Sequence, residues 1–431
     1  MVEKIQAIRG MNDILPGQTY AWRVLEQTFA ACVASYGYKE IRFPYVESTA
    51  LFKRSIGPVS DIVEKEMYTF NDLNGDQLTL RPEGTAGCVR ACVEHGLLRH
   101  QQQKLWYSGP MFRHEKPQKG RYRQFSQFGV EVFGLAGVGI ELELLLMCRE
   151  LWASLGLTEI VRLHLNTLGS AQERQQYRDL LIEYFSANQA DLDDESQRRL
   201  HRNPMRILDS KNPEMQALIH AAPTVQSVLG DDSKDHFDSL CNGLTELGIK
   251  YTIDPFLVRG LDYYEHTVFE WMTDRLGSQA TICGGGRFDL LIPQLGGNPT
   301  PAVGFAMGAE RILLLMAAQQ PLIEPAIDIM VLTLGEQALV CALKLAESLR
   351  TAFGCCVSVN TSGAKFKRQF KDADQSGARW ALVLGEDEVL SRTVGVKPLR
   401  LNDPQITMSH DQLISYFSEN LKGEVHVSLH D

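Results

Sequence analysis

The sequence predicts a multidomain α+β protein that ends in a small α/β domain. Strand-length apolar runs alternate with helical segments through most of the chain. Residues 171–248 differ, because they are polar and helical with little strand signal, and they indicate an inserted helical module. After Pro321 and Pro325, strand and helix patterns alternate regularly. We therefore predict one domain over residues 1–325, which contains the insertion, and a second over residues 326–431.

Composition favours a soluble protein that meets any nucleic acid through local patches. The 431 residues include 43 Lys and Arg and 53 Asp and Glu, which gives a net charge of -10. The net charge therefore gives no indication of a nucleic-acid partner. No apolar run approaches the roughly 20 residues that span a bilayer, and the N-terminus lacks a secretory signal. The nine cysteines show neither Cys-x-x-Cys nor zinc spacing. We expect reduced thiols, a cytoplasmic location and no membrane contact.

The N-terminal elements follow from periodicity and turn residues. Helical spacing of apolar residues predicts a helix over residues 17–37. The next strand, EIRFPYVE, contains Pro44, which favours a sheet edge or an interface. An Asn-Gly turn predicts a hairpin over residues 64–83, and a helix over residues 85–98 follows.

The later elements follow in the same way. We predict a helix over residues 139–156 and then the strand VRLHLN. After the insertion, strand signals extend through IKYTID, VRGLDYYEHTVFEW and CGGGRFD. The segment GNPTPAVGFAMGAERILLLMAA predicts a strand and then a helix. In the C-terminal domain, AIDIMVLTL, CCVSVNT and ARWALVLG are predicted strands, each followed by a helix.

Residues 111–131 form the most informative segment. Proline and glycine mark a turn between two apolar-aromatic runs, which predicts a hairpin with a long basic tip. Arginine forks at such a hairpin suit phosphate, and Phe125 offers a flat face to a base. A solvated basic loop is the alternative. The basic residues of the tip are Arg113, Lys116, Lys119, Arg121 and Arg123.

Two further groups of polar residues lie next to strands. Gln127, Gly129 and Glu131 alternate along the return strand of the hairpin and so share one face. A glutamate on an apolar strand is costly unless paired, either by a ligand cation or imidazole N–H, or by a structural arginine. In TLRPEGTAG, Glu83 and Thr85 suit an ammonium group; alternatively, Thr85 is simply the N-cap of the next helix.

The last two segments add arginines beside glycines. In LVRGLDYYEHTVFEW, Arg259 precedes Tyr263 and Tyr264, although tyrosines in strands are often core residues. In GFAMGAERI, Arg311 offers a phosphate or adenine contact, and Glu310 is either part of the site or a solvated charge at a helix start. The sequence has no P-loop, no strand followed by G-x-G-x-x-G and no H-E-x-x-H.

In order and spacing, these segments resemble the class II aminoacyl-tRNA synthetases, and specifically the bacterial type of histidyl-tRNA synthetase. The resemblance covers the whole chain. It implies an antiparallel catalytic sheet of six or seven strands flanked by helices, a helical insertion and a C-terminal anticodon-binding α/β domain. It also implies a homodimer that forms around Pro44. The matching segments are AIRGMND, SYGYKEIRFPYVE, TLRPEGTAG, FRHEKPQKGRYRQF, QFGVEVFG, RGLDYY, GGGRFD and GFAMGAER.

The resemblance implies an activity and a set of site residues. L-histidine reacts with ATP to give histidyl-adenylate, and the histidyl group then passes to the 3′ end of histidine tRNA. Mg²⁺ would accompany the β- and γ-phosphates, with no metal site formed by the protein. Arg259 and Arg113 would be catalytic. The histidine-binding residues would be Glu83, Thr85, Arg113, Gln127, Glu131, Arg259, Tyr263 and Tyr264. The ATP-binding residues would be Arg113, Glu115, Arg121, Phe125 and Arg311, and the tRNA-binding residues Lys116, Gln118 and Lys119.

The sequence departs from the family pattern at two positions. Lys116 stands where arginine is usual, which weakens a bidentate contact, and Phe288 stands where tyrosine is usual, which removes a hydroxyl. The alternative function is that of a non-catalytic paralogue that regulates ATP phosphoribosyltransferase in histidine biosynthesis. Such paralogues lack the C-terminal domain and much of the basic hairpin, and both are present here.

Overall fold

The computed structural model describes residues 4–57, 60–99, 101–277, 280–319, 321–324 and 326–421. The chain forms two compact units, Met1–Leu322 and Ile323–Asp431. None of the described helices is both long and apolar enough to cross a membrane. All nine cysteines are unpaired thiols.

The first unit combines eleven strands with ten α-helices within its described residues. The strands are β1 (Lys39–Glu40), β2 (Val46–Ser48), β3 (Tyr68–Asn71), β4 (Gln77–Leu80), β5 (Gln103–Phe112), β6 (Gln124–Phe133), β7 (Arg162–Thr167), β8 (Tyr251–Ile253), β9 (Glu265–Met272), β10 (Thr281–Arg287) and β11 (Ala302–Gly308). The helices are α1 (Thr19–Ser35), α2 (Thr49–Ile56), α3 (Thr85–Glu94), α4 (Val138–Ser154), α5 (Ala171–Ala187), α6 (Asp194–Arg199), α7 (Gln216–His220), α8 (Asp231–Glu246), α9 (Leu291–Gln294) and α10 (Ala309–Gln319).

An eight-stranded sheet dominates this unit, in the order β1-β5-β6-β11-β10-β9-β7-β8. Its six inner strands are antiparallel, which agrees with the predicted class II architecture. The two edge strands, β1 and β8, are short and pair in parallel with their neighbours. The sheet therefore consists of six antiparallel strands and two additional parallel edge strands. Strands β2, β4 and β3 form a separate small sheet.

The two faces of the large sheet have different roles. On β6, Phe128, Val130 and Val132 pack in one apolar cluster with helices α1 and α4. Because side chains alternate along a strand, Gly129 and Glu131 face the opposite side. Full burial of each large apolar side chain contributes about 1.5–3 kcal/mol, so this packing stabilises the sheet. The opposite face packs in a second apolar cluster, which includes Leu105, Tyr107 and Phe133, but it also carries the acidic Glu131.

Several predicted elements differ from those observed. The predicted strand around Pro44 is broken, because β1 ends before the proline and β2 begins after it. The predicted start of the first hairpin is a π-helical turn, Ile62–Glu66, and the strands begin only at Tyr68. The segment VRGLDYY is not a strand; β9 starts at Glu265. Val258, Tyr263 and Tyr264 are buried, so their apolar and aromatic character reflects burial and not pairing in a sheet.

The insertion is helical, as predicted, and includes α5 to α8 with short 3₁₀ turns between them. Helix α5 begins with a capping box: the Ser170 side chain accepts a hydrogen bond from the Glu173 backbone N–H, and the Glu173 carboxylate accepts one from Ser170 N. The Glu173 carboxylate also accepts hydrogen bonds from Gly230 N and Ser233 Oγ, at 2.6 Å each, and so ties the start of α8 to the start of α5.

The second unit is an α/β domain with a five-stranded sheet in the order β13-β12-β14-β15-β16. Its strands are β12 (Ile329–Thr333), β13 (Val357–Val359), β14 (Trp380–Leu384), β15 (Thr393–Pro398) and β16 (Ile406–Ser409). Its helices are α11 (Glu336–Phe353), α12 (Phe366–Gln375), α13 (Glu386–Ser391) and α14 (His410–Asn420). The first three strands are parallel and were predicted. Strands β15 and β16 are antiparallel additions that the sequence reading missed.

Candidate active site

The first unit contains a cavity of about 280 Å³ at the ends of several of its strands. It collects segments that are far apart in the sequence. Of the predicted site residues, Glu131 and the hairpin-tip residues Lys116, Gln118 and Lys119 do not line this cavity. Those that do are Glu83, Thr85, Arg113, Glu115, Arg121, Phe125, Gln127, Arg259, Tyr263, Tyr264 and Arg311.

The alternative prediction made Thr85 the cap of helix α3, but in the structure the Glu83 side chain has that role. Glu83 caps helix α3, because its Oε2 accepts from Thr85 N at 2.7 Å and its Oε1 from Ala86 N at 2.9 Å. Thr85 is the first residue of the helix, not its N-cap. Burial raises the pKa of Glu83, although the two backbone N–H bonds and Arg113 oppose that shift. The carboxylate is thus fixed in place at the wall of the cavity.

Glu131 lies behind Thr85, with an exposed fraction of 1%. Its Oε1 accepts from the Thr85 hydroxyl at 2.7 Å and from the Tyr107 hydroxyl at 3.2 Å. Among the described residues no arginine pairs with it, so the structural-arginine alternative is wrong. Its Oε2 has no hydrogen-bond partner in the described part of the chain. Burial raises the pKa of Glu131 well above its usual range. The unpaired Oε2 leaves this carboxyl with room for one further hydrogen bond.

Arg113 and Phe125 form a layered pair at the base of the hairpin. The Arg113 Nε donates to the carbonyl oxygen of Pro82 at 2.8 Å, and its guanidinium lies 5.3 Å from the centre of the Phe125 ring. Gln127, two residues further along β6, has a buried Oε1 with no partner among the described residues. The cavity is therefore bordered by a fixed cation, an aromatic face and an unused amide.

Arg259 projects from the loop before β9, and not from a strand as the sequence suggested. Its Nη1 forms an ion pair with Oε1 of Glu270, and its guanidinium lies 5.5 Å from the Tyr264 ring centre. Burial lowers its pKa, but the negative charge of Glu270 opposes that effect, and the pKa is raised overall. Asp262, in the same loop, accepts from Asn203 Nδ2 at 2.9 Å.

Glu270 is a functional candidate that sequence reasoning missed. It lies on β9 directly opposite Gly284 of β10. Its Oε2 accepts from the Thr281 hydroxyl at 2.6 Å, which fixes the carboxylate that holds Arg259. A Cβ at Gly284 would lie 2.4 Å from Arg259 Nη1, so only glycine leaves room for the guanidinium there. The sequence signal that could have identified Glu270 is the presence of a glutamate within an apolar strand.

The remaining cavity charges also have defined partners. Arg121 forms an ion pair with Glu115, whose side chain is 8% exposed. Arg311 Nε donates to the Gly120 carbonyl at 3.1 Å, and its Nη1 donates to the Thr281 carbonyl. Burial and then the neighbouring Arg121 lower the pKa of Arg311.

Glu310 is not a solvated charge at a helix start. Its Oε1 accepts from the backbone N–H of Ser126 at 2.8 Å, between Phe125 and Gln127 on β6. Burial raises its pKa to about 7. Glu310 therefore fixes the strand that carries two of the cavity-lining side chains.

The hairpin itself forms as predicted, from β5 and β6. At its tip, Lys116, Gln118 and Lys119 are exposed, and Gln118 and Arg121 exchange backbone hydrogen bonds of 3.0 and 2.9 Å. Phe288 lies away from this tip. It is buried, with its ring centre 5.8 Å from that of Tyr263.

Comparisons with known proteins find one matching family in each of the two units. Residues 10–312 match the family model for histidyl-tRNA synthetase, and residues 328–420 match that for an anticodon binding domain. A curated relative from Legionella pneumophila strain Philadelphia 1, histidine–tRNA ligase, is 60% identical over 424 residues, which cover 98% of this chain and 100% of the relative.

Solved structures give the same result. Apo histidyl-tRNA synthetase of S. aureus is 37% identical with a TM-score of 0.80, and the match covers 96% of this chain and 100% of that one. Histidyl-tRNA synthetase from Nostoc sp. PCC 7120 shares the fold at 19% identity, with a TM-score of 0.70 over 97% of this chain and 100% of that one. The full-length match at 60% identity is sufficient to assign the family. This chain belongs to the histidyl-tRNA synthetase family of class II aminoacyl-tRNA synthetases.

Proposed function

We propose that the protein activates L-histidine with ATP and transfers the histidyl group to histidine tRNA. The observation that carries this function is the cavity, which brings an acidic wall, two tyrosines, an aromatic face and four arginines into about 280 Å³. The match of both domains to the family supports the same function.

Histidine would be held at three points. Its ammonium group would lie against Glu83 and Thr85, where a positive charge offsets the cost of the buried carboxylate. Its carboxylate would meet Arg113 and Gln127. Its imidazole would meet Tyr264, with Tyr263 packed behind, and an imidazole N–H would use the spare capacity of Glu131. Because that carboxyl now lies behind Thr85, binding must include a rotation of its side chain.

The chemical step needs no protein nucleophile, since the carboxylate of histidine is one. A carboxylate oxygen attacks the α-phosphorus of ATP, the bond from that phosphorus to the bridging oxygen breaks, and pyrophosphate leaves. Arg259 and Arg113 would stabilise the charge that develops on the α-phosphate oxygens. The adenine would lie between Phe125 and Arg311, with Arg121 and Glu115 near the outer part of the nucleotide.

Magnesium would enter with the nucleotide. The cavity carboxylates of Glu83, Glu270 and Glu310 each accept from a protein donor, and that of Glu115 forms an ion pair with Arg121. The described residues include no group of three or more His, Cys, Asp or Glu placed to hold a metal ion. Mg²⁺ commonly retains water and binds through substrate phosphates, which suits this donor set. Bound there, it would neutralise charge on the β- and γ-phosphates.

Transfer to tRNA would use two other surfaces. The exposed tip residues Lys116, Gln118 and Lys119 would meet the acceptor end. In the C-terminal domain, helix α12 with its preceding residue displays the basic residues Lys365, Lys367, Arg368 and Lys371, and it would contribute to anticodon binding.

The protein would act as a cytoplasmic homodimer. Phe43, Pro44 and Tyr45 border a groove together with Trp106, and the Tyr45 side chain is 53% exposed. A second copy that covered this apolar-aromatic border would remove it from water. The sedimentation coefficient of the purified protein, measured over a range of concentrations, tests this part of the proposal.

Charging of histidine tRNA by the purified protein tests the function as a whole. We expect labelled histidine to become attached to histidine tRNA in the presence of ATP. A regulatory paralogue would show no attachment. The complete C-terminal domain and the intact basic hairpin already favour the charging enzyme.

A further inference from the structure

The segment AIRGMND contains a turn that contacts the basic hairpin. Met11 N donates to the Ile8 carbonyl at 2.9 Å, which closes a turn with Arg9 and Gly10 at its centre. Gly10 has a φ of +87°, in the left-handed region that favours glycine. The turn is therefore built around one residue that tolerates this backbone.

The same glycine is a support for the hairpin. Its carbonyl oxygen accepts from Arg123 N at 2.8 Å and from Gln124 N at 3.3 Å, at the start of β6. A Cβ at Gly10 would lie 2.9 Å from Cγ of Pro117 and 3.0 Å from Cγ of Arg123. The absence of a side chain at Gly10 thus lets the hairpin tip rest directly on the N-terminal turn.

The tip also has supports from outside the hairpin other than Gly10. The His114 backbone N–H donates to the Glu66 carbonyl at 2.6 Å. The Gly120 carbonyl accepts from Arg311 Nε at 3.1 Å, on the side of the proposed ATP site. Lys116, Gln118 and Lys119 are exposed in the loop that these contacts hold. Exposed loops are mobile unless they are tied down, so the place of these three side chains depends on such contacts.

We propose that the turn Ile8–Met11 is a positioning element for transfer to tRNA, which sets the place of the basic tip without entering adenylate formation. The proposal rests on the proposed function and adds a residue, Gly10, to its second step. A small displacement of a positioning group can cost about 10²-fold in rate, because the reacting groups lose their alignment.

Gly10→Ala tests this, and the chain provides a matched control. Gly17 has the same φ of +87° but no atom within 4 Å of a Cβ built there. Both substitutions carry the same backbone strain, but only Gly10→Ala pushes on the tip. We expect Gly10→Ala to slow histidyl transfer from preformed adenylate at least tenfold and to leave histidine-dependent pyrophosphate exchange within twofold. Gly17→Ala should leave both within twofold.

A second variant tests the contact itself. Pro117→Ala removes the nearer of the two Cγ atoms that the new methyl group would meet and leaves that of Arg123, so Gly10→Ala should slow transfer less in that background than in the wild type. Three results would overturn the proposal: equal losses in the two assays, unchanged transfer, or the same penalty in both backgrounds. A Gly10→Ala protein that fails to fold also overturns it, since the turn would then serve the fold. Absence of exchange in the wild type would instead refute the proposed function.

Discussion

Replacement of Arg259 by alanine removes the cation that we place at the α-phosphate. The guanidinium is held by Glu270 and lies beside Gly284, so its position is fixed before any substrate arrives. Removal of one preorganised contact to a developing oxyanion typically slows a reaction about 10²–10³-fold. We expect adenylate formation in Arg259→Ala to fall by that factor or more. Histidine binding should weaken only modestly, because Glu83 and Thr85 remain.

The same change also affects the fold, and the structure indicates by how much. Arg259 and Glu270 have side chains that are 16% and 13% exposed. Breaking a buried pair costs about 3–5 kcal/mol, and residual exposure reduces that figure. Glu270 would keep the hydrogen bond from the Thr281 hydroxyl. The double variant Arg259→Ala/Glu270→Gln removes the orphaned charge, so it should recover stability without recovering the rate.

Rapid-quench measurement of adenylate formation, at saturating histidine and ATP, separates the two effects. A folded Arg259→Ala protein with a single-turnover rate within threefold of the wild type would refute the catalytic role. Gly284→Ala is a milder probe, because its Cβ would displace the guanidinium while the charge is retained. We expect it to slow adenylate formation about tenfold or more, and no loss would show that the position of the guanidinium is unimportant.

Four other predictions follow from the site and the domains. Glu131→Gln should raise the KM for histidine far more than that for ATP, and unchanged histidine-dependent exchange would rule out the imidazole contact. Gln118→Ala should impair transfer to tRNA but spare pyrophosphate exchange; an equal loss in both would place this residue in the ATP site. Deletion of residues 326–431 should spare some adenylate formation and greatly reduce charging, whereas full charging would exclude an anticodon role. For Glu310, a folded pKa of about 7 lies above the unfolded value, so its contribution to stability is present below about pH 4.5 and is lost as pH rises through 7. Glu310→Gln should therefore stabilise the protein more at pH 8 than at pH 5, by up to about 3 kcal/mol in the free energy of unfolding. Measured Tm values of the variant and the wild type at the two pH values check this, and a difference that does not depend on pH would contradict the raised pKa.

Elements with strong local signals were predictable from the sequence. The basic hairpin has two long apolar-aromatic strands and a proline-glycine turn, and β5 and β6 form as expected. The strand β15 was missed because it contains Gly395 and ends at Pro398, which both weaken a strand signal. The strand β16 was missed because it is short and has no buried residue. The segment that includes Arg259 and Tyr263 was wrongly assigned to a strand, since composition reports burial and not backbone pairing.

Pairings across the sheet were not predictable. Glu270 holds Arg259 only because the register of β9 and β10 sets it opposite Gly284, and no local pattern gives that register. Likewise, the Glu83 side chain and not that of Thr85 accepts from the first backbone N–H groups of helix α3, and the sequence does not show which of the two does so. The residue types of the site were visible in the sequence, whereas their partners required the fold.

Amino-acid-dependent ATP–pyrophosphate exchange, run with each of the twenty amino acids, tests most directly whether the cavity joins histidine to ATP. We predict exchange that requires L-histidine and is at least a hundredfold faster with it than with any other amino acid. Absence of exchange with histidine, or equal exchange with another amino acid, would contradict the assignment of this cavity to histidine activation.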